Sequence, residues 1–300
     1  MKKVVIFAIA TVFSVAHTYA QNVSIGVKGG LSIPNLTTGG KEYDTPVSEG
    51  YSSRMAAGSG IVVDFQLTET FAIQTGLEYS GQGGQKKGVQ ALPGEPIFEA
   101  IKEAMGQMPG GDFLVPILSS VPLPEYVYTD CKSVVKFNYL MLPVQAKLGW
   151  HLREASPFRV YVSGGIFGSY LLSAKRELSG TNFMLADENK TSMSNYWDNL
   201  YPTLDLPLLQ AYALSEVFKG MDENRIPESK DKMTDDINPF NFGVIGSLGI
   251  SLNLSARNRV FLEGGGNYGF FSLQRDDSNG RNRIGAATVM LGISHLFGKL

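Results

Sequence analysis

The segment from Asn238 to Phe297 constrains the fold more than any other part of the chain, because it repeats one pattern in three successive runs. Large apolar side chains take alternate positions, and small or polar side chains fall between them. The apolar positions are Phe242, Val244, Leu248, Ile250 and Leu252, then Val260, Leu262, Tyr268 and Phe270, then Ala287, Val289, Leu291, Ile293 and Phe297. A period of two residues is that of a β-strand. Runs this long exceed the usual strand of a soluble sheet and match a strand that crosses a membrane at a tilt.

The same alternation occurs five more times earlier in the chain, so the sequence predicts eight strands. The earlier runs cover residues 23–33, 57–65, 71–80, 142–150 and 158–170. Tight turns follow strands two, four and six, whereas long connections follow strands one, three and five, including insertions at about 81–132 and 174–236. Short turns on one side and long loops on the other are typical of outer-membrane barrels. We therefore predict an all-β fold, an eight-stranded antiparallel up-and-down transmembrane β-barrel with two long, partly helical extracellular loops.

The N-terminus predicts export. Residues 1–20 have a basic start, an apolar stretch and a small-residue end, which is typical of a secretory signal peptide cut after Ala20. We therefore expect a barrel domain over residues 21–300, located in the outer membrane and in contact with its lipid. The net charge of −2 and the absence of basic clusters argue against nucleic acid as a partner. Cys131 is the only cysteine, which excludes an internal disulfide.

The face opposite the apolar one mixes charges, amides, serines and glycines. In a secreted soluble barrel such as a lipocalin, the apolar face would instead point inward. Six charged residues are predicted to pair inside a narrow lumen that has room only for side chains: Lys28, Asp64, Glu78, Lys147, Arg159 and Glu263. Glu78 and Lys147 lie on neighbouring strands and are expected to form one of these pairs, either as a structural contact or as the guard of a pore.

Aromatic residues cluster near the predicted strand ends, as in the two aromatic belts at membrane–water interfaces. They are Phe65, Phe71, Trp150, Phe158 and Phe297 on the turn side, and Tyr79, Tyr170, Tyr268 and Phe270 on the loop side.

The two insertions are too apolar to be simply disordered. Residues 95–108, 193–201 and 204–218 have apolar side chains at helical spacing. One interpretation is that these segments pack on each other as a cap over the barrel, and the other is that part of the surface binds a protein or glycan. The candidate binding residues are Phe98, Ile101, Met105, Trp197 and Tyr201.

Catalytic chemistry is not predicted. Small barrels that modify lipid A need a nucleophile or base at the outer-leaflet end, generally a histidine with a serine or carboxylate. Here His17 lies in the signal peptide, and His151 and His295 are expected at the periplasmic end. The acidic clusters at 187–189 and 222–224 lack the spacing and glycine of a calcium loop. The sequence thus predicts no catalytic residue, cofactor or metal, although an enzyme that modifies lipid A is kept as an alternative.

Five segments of the predicted strands carry a recognisable sequence pattern. They are residues 26–32 (GVKGGLS), 71–83 (FAIQTGLEYSGQG), 139–144 (YLMLPV), 160–165 (VYVSGG) and 170–175 (YLLSAK). Together these segments resemble the PorT-type outer-membrane β-barrel family of Bacteroidetes. The resemblance implies an eight-stranded barrel in the outer membrane and no catalytic motif. The founding member is linked to protease secretion, so the resemblance also implies a second possible role, as an accessory subunit of a secretion or uptake complex.

Overall fold

A computed structural model describes residues 22–38, 46, 50–153, 156–179, 184–223, 229–275 and 281–298. The predicted signal peptide and its cleavage site lie outside these residues. Nine strands occur in the described parts of the chain: β1 (Asn22–Thr38), β2 (Ala56–Gln66), β3 (Phe71–Pro93), β4 (Tyr126–His151), β5 (Phe158–Ser179), β6 (Ser229–Lys232), β7 (Phe240–Asn253), β8 (Asn258–Gly269) and β9 (Asn282–Gly298).

Eight of these strands form a closed antiparallel ring. Strands β1 to β5 pair in chain order, β5 pairs with β7, and β7 to β9 again pair in chain order. The pairing of β1 with both β2 and β9 closes the ring. At the seam, Val27 lies opposite Ile61 on one side and opposite Ile293 on the other. The predicted eight-stranded barrel is confirmed, and full closure leaves the ring no unpaired edge. Strand β6 is not part of the ring and pairs antiparallel with residues 175–178 of β5.

The connections between strands follow the predicted alternation of lengths. Four residues separate β2 from β3 and four separate β7 from β8, and β4 ends at His151 only a few residues before β5 begins at Phe158, whereas the connections after β1, β3 and β5 are long. In the first turn, the amide of Leu67 donates a hydrogen bond to the carbonyl of Phe71 at 3.0 Å. The two ends of the barrel therefore differ, and the short-turn end is the periplasmic one in barrels of this kind.

The apolar face of the ring points outward. Val27 and Leu291, for example, are 55% and 60% exposed, while Lys28 and Glu263 on the opposite face are buried. This is the reverse of a water-soluble barrel and fits contact with hydrocarbon. Most of the predicted aromatic belt residues are also exposed, including Trp150, Phe158 and Phe297 at the turn end. Phe65 differs, because it is buried.

Strands β3, β4 and β5 are much longer than a membrane crossing requires. They contain 23, 26 and 22 residues, where about 9–11 suffice. The predicted insertion bounds of 81–132 and 174–236 need correction, because paired strand continues to Pro93, resumes at Tyr126 and extends to Ser179. The extension lacks the lipid-facing alternation that identifies a membrane strand, so periodicity alone did not find it.

Four α-helices lie on top of this extension. They are α1 (Gly94–Gly106), α2 (Gly111–Ser120), α3 (Met193–Leu200) and α4 (Leu208–Glu223), with a 3-10 turn at Tyr201–Thr203. Side chains from both insertions share one hydrophobic core, and an isolated bridge between Tyr128 and Leu185 also joins them. We call these helices and their connecting residues the cap. None of the helices in the described residues is long and apolar enough to cross a membrane.

Candidate functional site

The centre of the lumen holds one lysine between two glutamates. Lys28 of β1 places its Nζ 2.8 Å from Oε1 of Glu78 on β3 and 3.4 Å from Oε1 of Glu263 on β8. The hydroxyl of Tyr161 on β5 donates a hydrogen bond to the second oxygen of Glu263 at 3.1 Å. All four side chains are buried. Four strands are thus joined across the interior by one charged network.

A second charged group lies nearer the short-turn end. Lys147 on β4 places its Nζ 2.9 Å from Asp64 on β2, and the side-chain amide of Gln74 donates to the other oxygen of Asp64 at 2.8 Å. The same ammonium lies 4.3 Å from the centre of the Tyr161 ring, a cation–π geometry. The two charged groups therefore meet at Tyr161.

The expected pair between Glu78 and Lys147 does not form. Glu78 lies opposite Met141 in the ladder, whereas Lys147 lies opposite Ala72. From position 141 to position 147 is six residues along β4, or about 20 Å at the rise of an antiparallel strand. Both side chains point inward as predicted, but the register places them at different heights. Glu78 instead pairs with Lys28 on β1, and Lys147 pairs with Asp64 on β2.

Arg159 differs from the other five predicted lumen residues. It makes no ion pair with a carboxylate among the described residues, and its guanidinium donates instead to the carbonyls of Glu69 at 2.8 Å and Gly149 at 3.3 Å. Arg159 therefore fastens the β2–β3 turn to the barrel wall. The hydrogen-bond partners Gln74 and Tyr161 were not predicted as members of the lumen network, although their alternation places them on the inward face.

The lumen is packed closed at this level. The cavity beside Asp64, Lys147 and Arg159 measures about 10 Å³, which is room for about one water molecule. Above it, the interior becomes apolar and is filled by a second core cluster. That cluster contains Val135, Phe137, Tyr139, Met141, Phe167, Leu171, Ala174, Ile237, Leu273 and Ile284. The face of charges, amides, serines and glycines expected from the sequence thus describes the lower barrel, whereas the upper barrel also contains this apolar cluster.

The predicted binding residues of the loops are mostly the interior of the cap. Phe98 and Trp197 are each 2% exposed, Met105 is buried, and Ile101 and Tyr201 pack against the same core. The ring of Trp197 stacks on Phe218 of α4 with centroids 5.1 Å apart. Phe98, Met105 and Trp197 are therefore not available at the surface, because amphipathic spacing marks the buried side of each helix. For the partly exposed Ile101 and Tyr201, the binding role stays a prediction.

The cap presents a different apolar surface, at the start of α4. Leu208, Leu209 and Tyr212 are 81%, 71% and 66% exposed. They occupy positions i, i+1 and i+4, and the last is one turn along the helix from the first. We call these three residues the α4 patch. The sequence did not distinguish them from the core residues of α4, because only the packing of the other helices decides which side is covered.

Hydrogen bonds fix the ends of the cap helices. The side chain of Ser192 accepts from the amide of Asn195 at 3.1 Å, and Asp222 at the end of α4 accepts from the amide of Met193 at 2.6 Å. Both groups satisfy donors at the start of α3. In the connecting turn, hydrogen bonds donated by Thr191 hold the pKa of Asp187 below its usual value. These two acidic residues thus have local structural partners.

Sequence comparison identifies the family. The outer membrane protein beta-barrel domain matches residues 19–275, which includes every strand except the last. The chain belongs to this family. No curated protein sequence matches the chain.

The chain is also similar to several solved structures. Ail, the attachment invasion locus protein of Yersinia pestis, is 8% identical, with a TM-score of 0.32, covering 93% of this chain and 99% of Ail. Neisserial surface protein A is 8% identical, with a TM-score of 0.32 and coverage of 90% and 96%. A major outer membrane protein from Thermus thermophilus is 10% identical, with a TM-score of 0.39 and coverage of 92% and 99%.

The two histidines of this outer-membrane barrel lie at the short-turn end, as predicted. His151 ends β4, with Nδ1 3.2 Å from the carbonyl of Ser156, and His295 in β9 lies 2.8 Å from the side-chain oxygen of Asn258. The described residues contain no group of three side chains suited to hold a metal ion.

Proposed function

We propose that this outer-membrane barrel is a non-enzymatic anchor whose extracellular cap binds a protein partner through the α4 patch. The exposure of Leu208, Leu209 and Tyr212 carries the proposal, because these side chains lie on a cap that already buries a complete core of its own. Contiguous large apolar groups on a water-facing surface are typical of interaction sites.

A protein partner fits the chemistry of the α4 patch better than a glycan does. A glycan needs polar groups that satisfy its hydroxyls beside an aromatic ring, since unpaired polar groups are costly when desolvated. Leu208 and Leu209 carry no polar side-chain atom. A protein surface with its own apolar residues would be complementary to all three members of the patch.

The lumen supports the role of an anchor rather than a pore. The ion pairs of Lys28 and Asp64 are buried, and the cavity beside Asp64 measures only about 10 Å³, so the described residues leave little room for an aqueous path there. We therefore expect Glu78→Leu to lower the stability of the barrel without producing an ion current in planar bilayers. A large ion-selective current in this variant would contradict the proposal.

Purification from native membranes in mild detergent tests the α4 patch. We expect the parent protein to carry a stoichiometric partner, and Leu208→Ser/Leu209→Ser to retain roughly tenfold less of it, as for the loss of an interface hot spot. The control is Leu152→Ser/Leu254→Ser, which removes two exposed leucines at the short-turn end and should leave partner recovery unchanged. Equal recovery with both double variants would refute the assignment.

A role as an accessory subunit of a secretion or uptake complex is the second candidate. It is supported by the resemblance of residues 71–83 and 139–144 to the PorT-type family of Bacteroidetes. A partner that is itself a component of an outer-membrane export or import complex would favour it. Lipid A modification has less support, since His151 and His295 lie at the end opposite the outer leaflet. An unchanged lipid A mass spectrum in a deletion strain is the expected result.

A further inference from the structure

A cleft of about 520 Å³ opens on the outer side of the barrel near its long-loop end. Its described lining includes Phe240 at the start of β7, Phe270 and Phe271 just after β8, and Arg275 and Arg283. The ladder between β8 and β9 pairs Tyr268 with Gly285, so Arg283 lies two residues further toward the loop end. The cleft thus spans the boundary where the strands β7, β8 and β9 leave the membrane-facing wall.

The aromatic part of the cleft continues the outer aromatic belt. The rings of Phe240 and Tyr170 lie 5.2 Å apart, those of Phe242 and Phe270 lie 6.2 Å apart, and those of Tyr268 and Phe270 lie 6.1 Å apart. All five side chains are exposed on the outer face. Such a group of rings marks the level of the lipid headgroups. The cleft therefore lies where acyl chains end and headgroups begin.

The polar part of the cleft is basic. Arg275 is held in place, because its backbone amide donates to the carbonyl of Asp236 and its Nε donates to the carbonyl of Ile237, both at 3.1 Å. Arg283 is exposed on the outer face of β9. Arg281 also lines the cleft, and none of the described lining residues is acidic. A guanidinium has five N–H donors, so Arg275 retains donors beyond the one that anchors it.

We propose that this cleft binds the phosphate group of a phosphorylated glycolipid in the outer leaflet. Arginine matches phosphate with paired hydrogen bonds, and basic pockets at the membrane surface recognise anionic headgroups. The adjacent rings of Phe270 and Phe271 contact the upper acyl chains, so the cleft suits an anionic amphiphile better than a free ion. The site is separate from the α4 patch and does not depend on it.

Titration of fluorescent lipid A into the purified full-length protein in nonionic detergent tests this site. We expect Arg275→Gln/Arg283→Gln to weaken binding roughly tenfold, because two cationic groups near the phosphate are lost. Arg153→Gln/Arg257→Gln is the charge-matched control, since these arginines are exposed at the short-turn end, and it should bind like the parent. Arg275→Lys/Arg283→Lys should retain part of the affinity, since it keeps the charge and loses only the paired geometry.

A second comparison uses the parent protein alone and so does not depend on the folding of any variant. Lipid A stripped of its phosphates should bind at least several-fold more weakly than intact lipid A, and 0.5 M salt should reduce this difference through screening. Equal binding of the two lipids, or parent-like binding by a folded Arg275→Gln/Arg283→Gln protein, would overturn the proposal.

Discussion

Replacing Lys28 by methionine is the most informative single change in the lumen. The Lys28 ammonium lies within ion-pair distance of both Glu78 and Glu263, and the three side chains are only 3%, 10% and 6% exposed. Methionine fills a similar volume but leaves two buried carboxylates without their cation. Glu263 keeps the hydrogen bond from Tyr161, whereas Lys28 is the single ion-pair partner of the Glu78 carboxylate among the described residues.

The expected loss of stability in Lys28→Met comes mainly from Glu78, because Glu263 keeps a hydrogen-bond partner and Glu78 loses its ion-pair partner. Removing one member of a buried ion pair costs about 3–5 kcal/mol, because the remaining charge is left uncompensated. The matched control is Lys136→Met, which breaks the 2.6 Å pair with Glu177. Both side chains of that pair are about one-third exposed, so its loss should cost much less than the loss of the Lys28 pair, because solvent screens exposed charges.

Urea unfolding in detergent micelles, followed by tryptophan fluorescence and gel mobility, measures both free energies of unfolding. The double variant Lys28→Met/Glu78→Leu should be more stable than Lys28→Met, with a coupling of about 2 kcal/mol, since the second change removes the unpaired charge. Equal losses for Lys28→Met and Lys136→Met would refute the claim that the lumen is dry and tightly packed. So would a double variant whose loss is the sum of the single ones.

Three further predictions concern the cap, the wall and the connecting turn. Trp197→Ala should destabilise the cap by about 3–5 kcal/mol through loss of a buried aromatic, seen as faster proteolysis of the cap with an unchanged barrel gel shift. Gly165→Ala should impair barrel folding because its Cβ would meet a backbone carbonyl of β4, whereas Gly168→Ala has open space and should fold normally in the same refolding assay. Because hydrogen bonds from Thr191 lower the pKa of Asp187, their stabilisation is present above the carboxyl's unfolded pKa of about 3.9 and is lost as the pH falls through the lower folded value. An NMR titration of Asp187 with its midpoint at or above that value would contradict this.

The fold was predictable because contact with lipid on one face of the barrel imposes an alternating pattern of apolar residues on the sequence. Each lipid-facing strand must alternate over its whole crossing, as Val23 to Ile33 and Ala287 to Ile293 do, since a one-residue slip would place every apolar side chain in the lumen. The lengths of the connections then indicate which end of the barrel faces the periplasm. The extensions of β3, β4 and β5 do not show this alternation, because their outward positions, such as Asp130, Lys132 and Lys175, are polar and exposed rather than in contact with lipid.

The sequence by itself determined which side chains enter the lumen, since a period of two residues fixes the face of every position in a strand. It did not determine their partners. Glu78 and Lys147 are separated by register, and Lys28 meets Glu263 only because the sheet closes on itself. In the cap, helical spacing correctly predicted amphipathic segments around Trp197. Only the packing of the four helices decided that Trp197 is buried and Leu208 is exposed. Burial depends on which other helix packs against a side chain, and the local sequence does not contain that information.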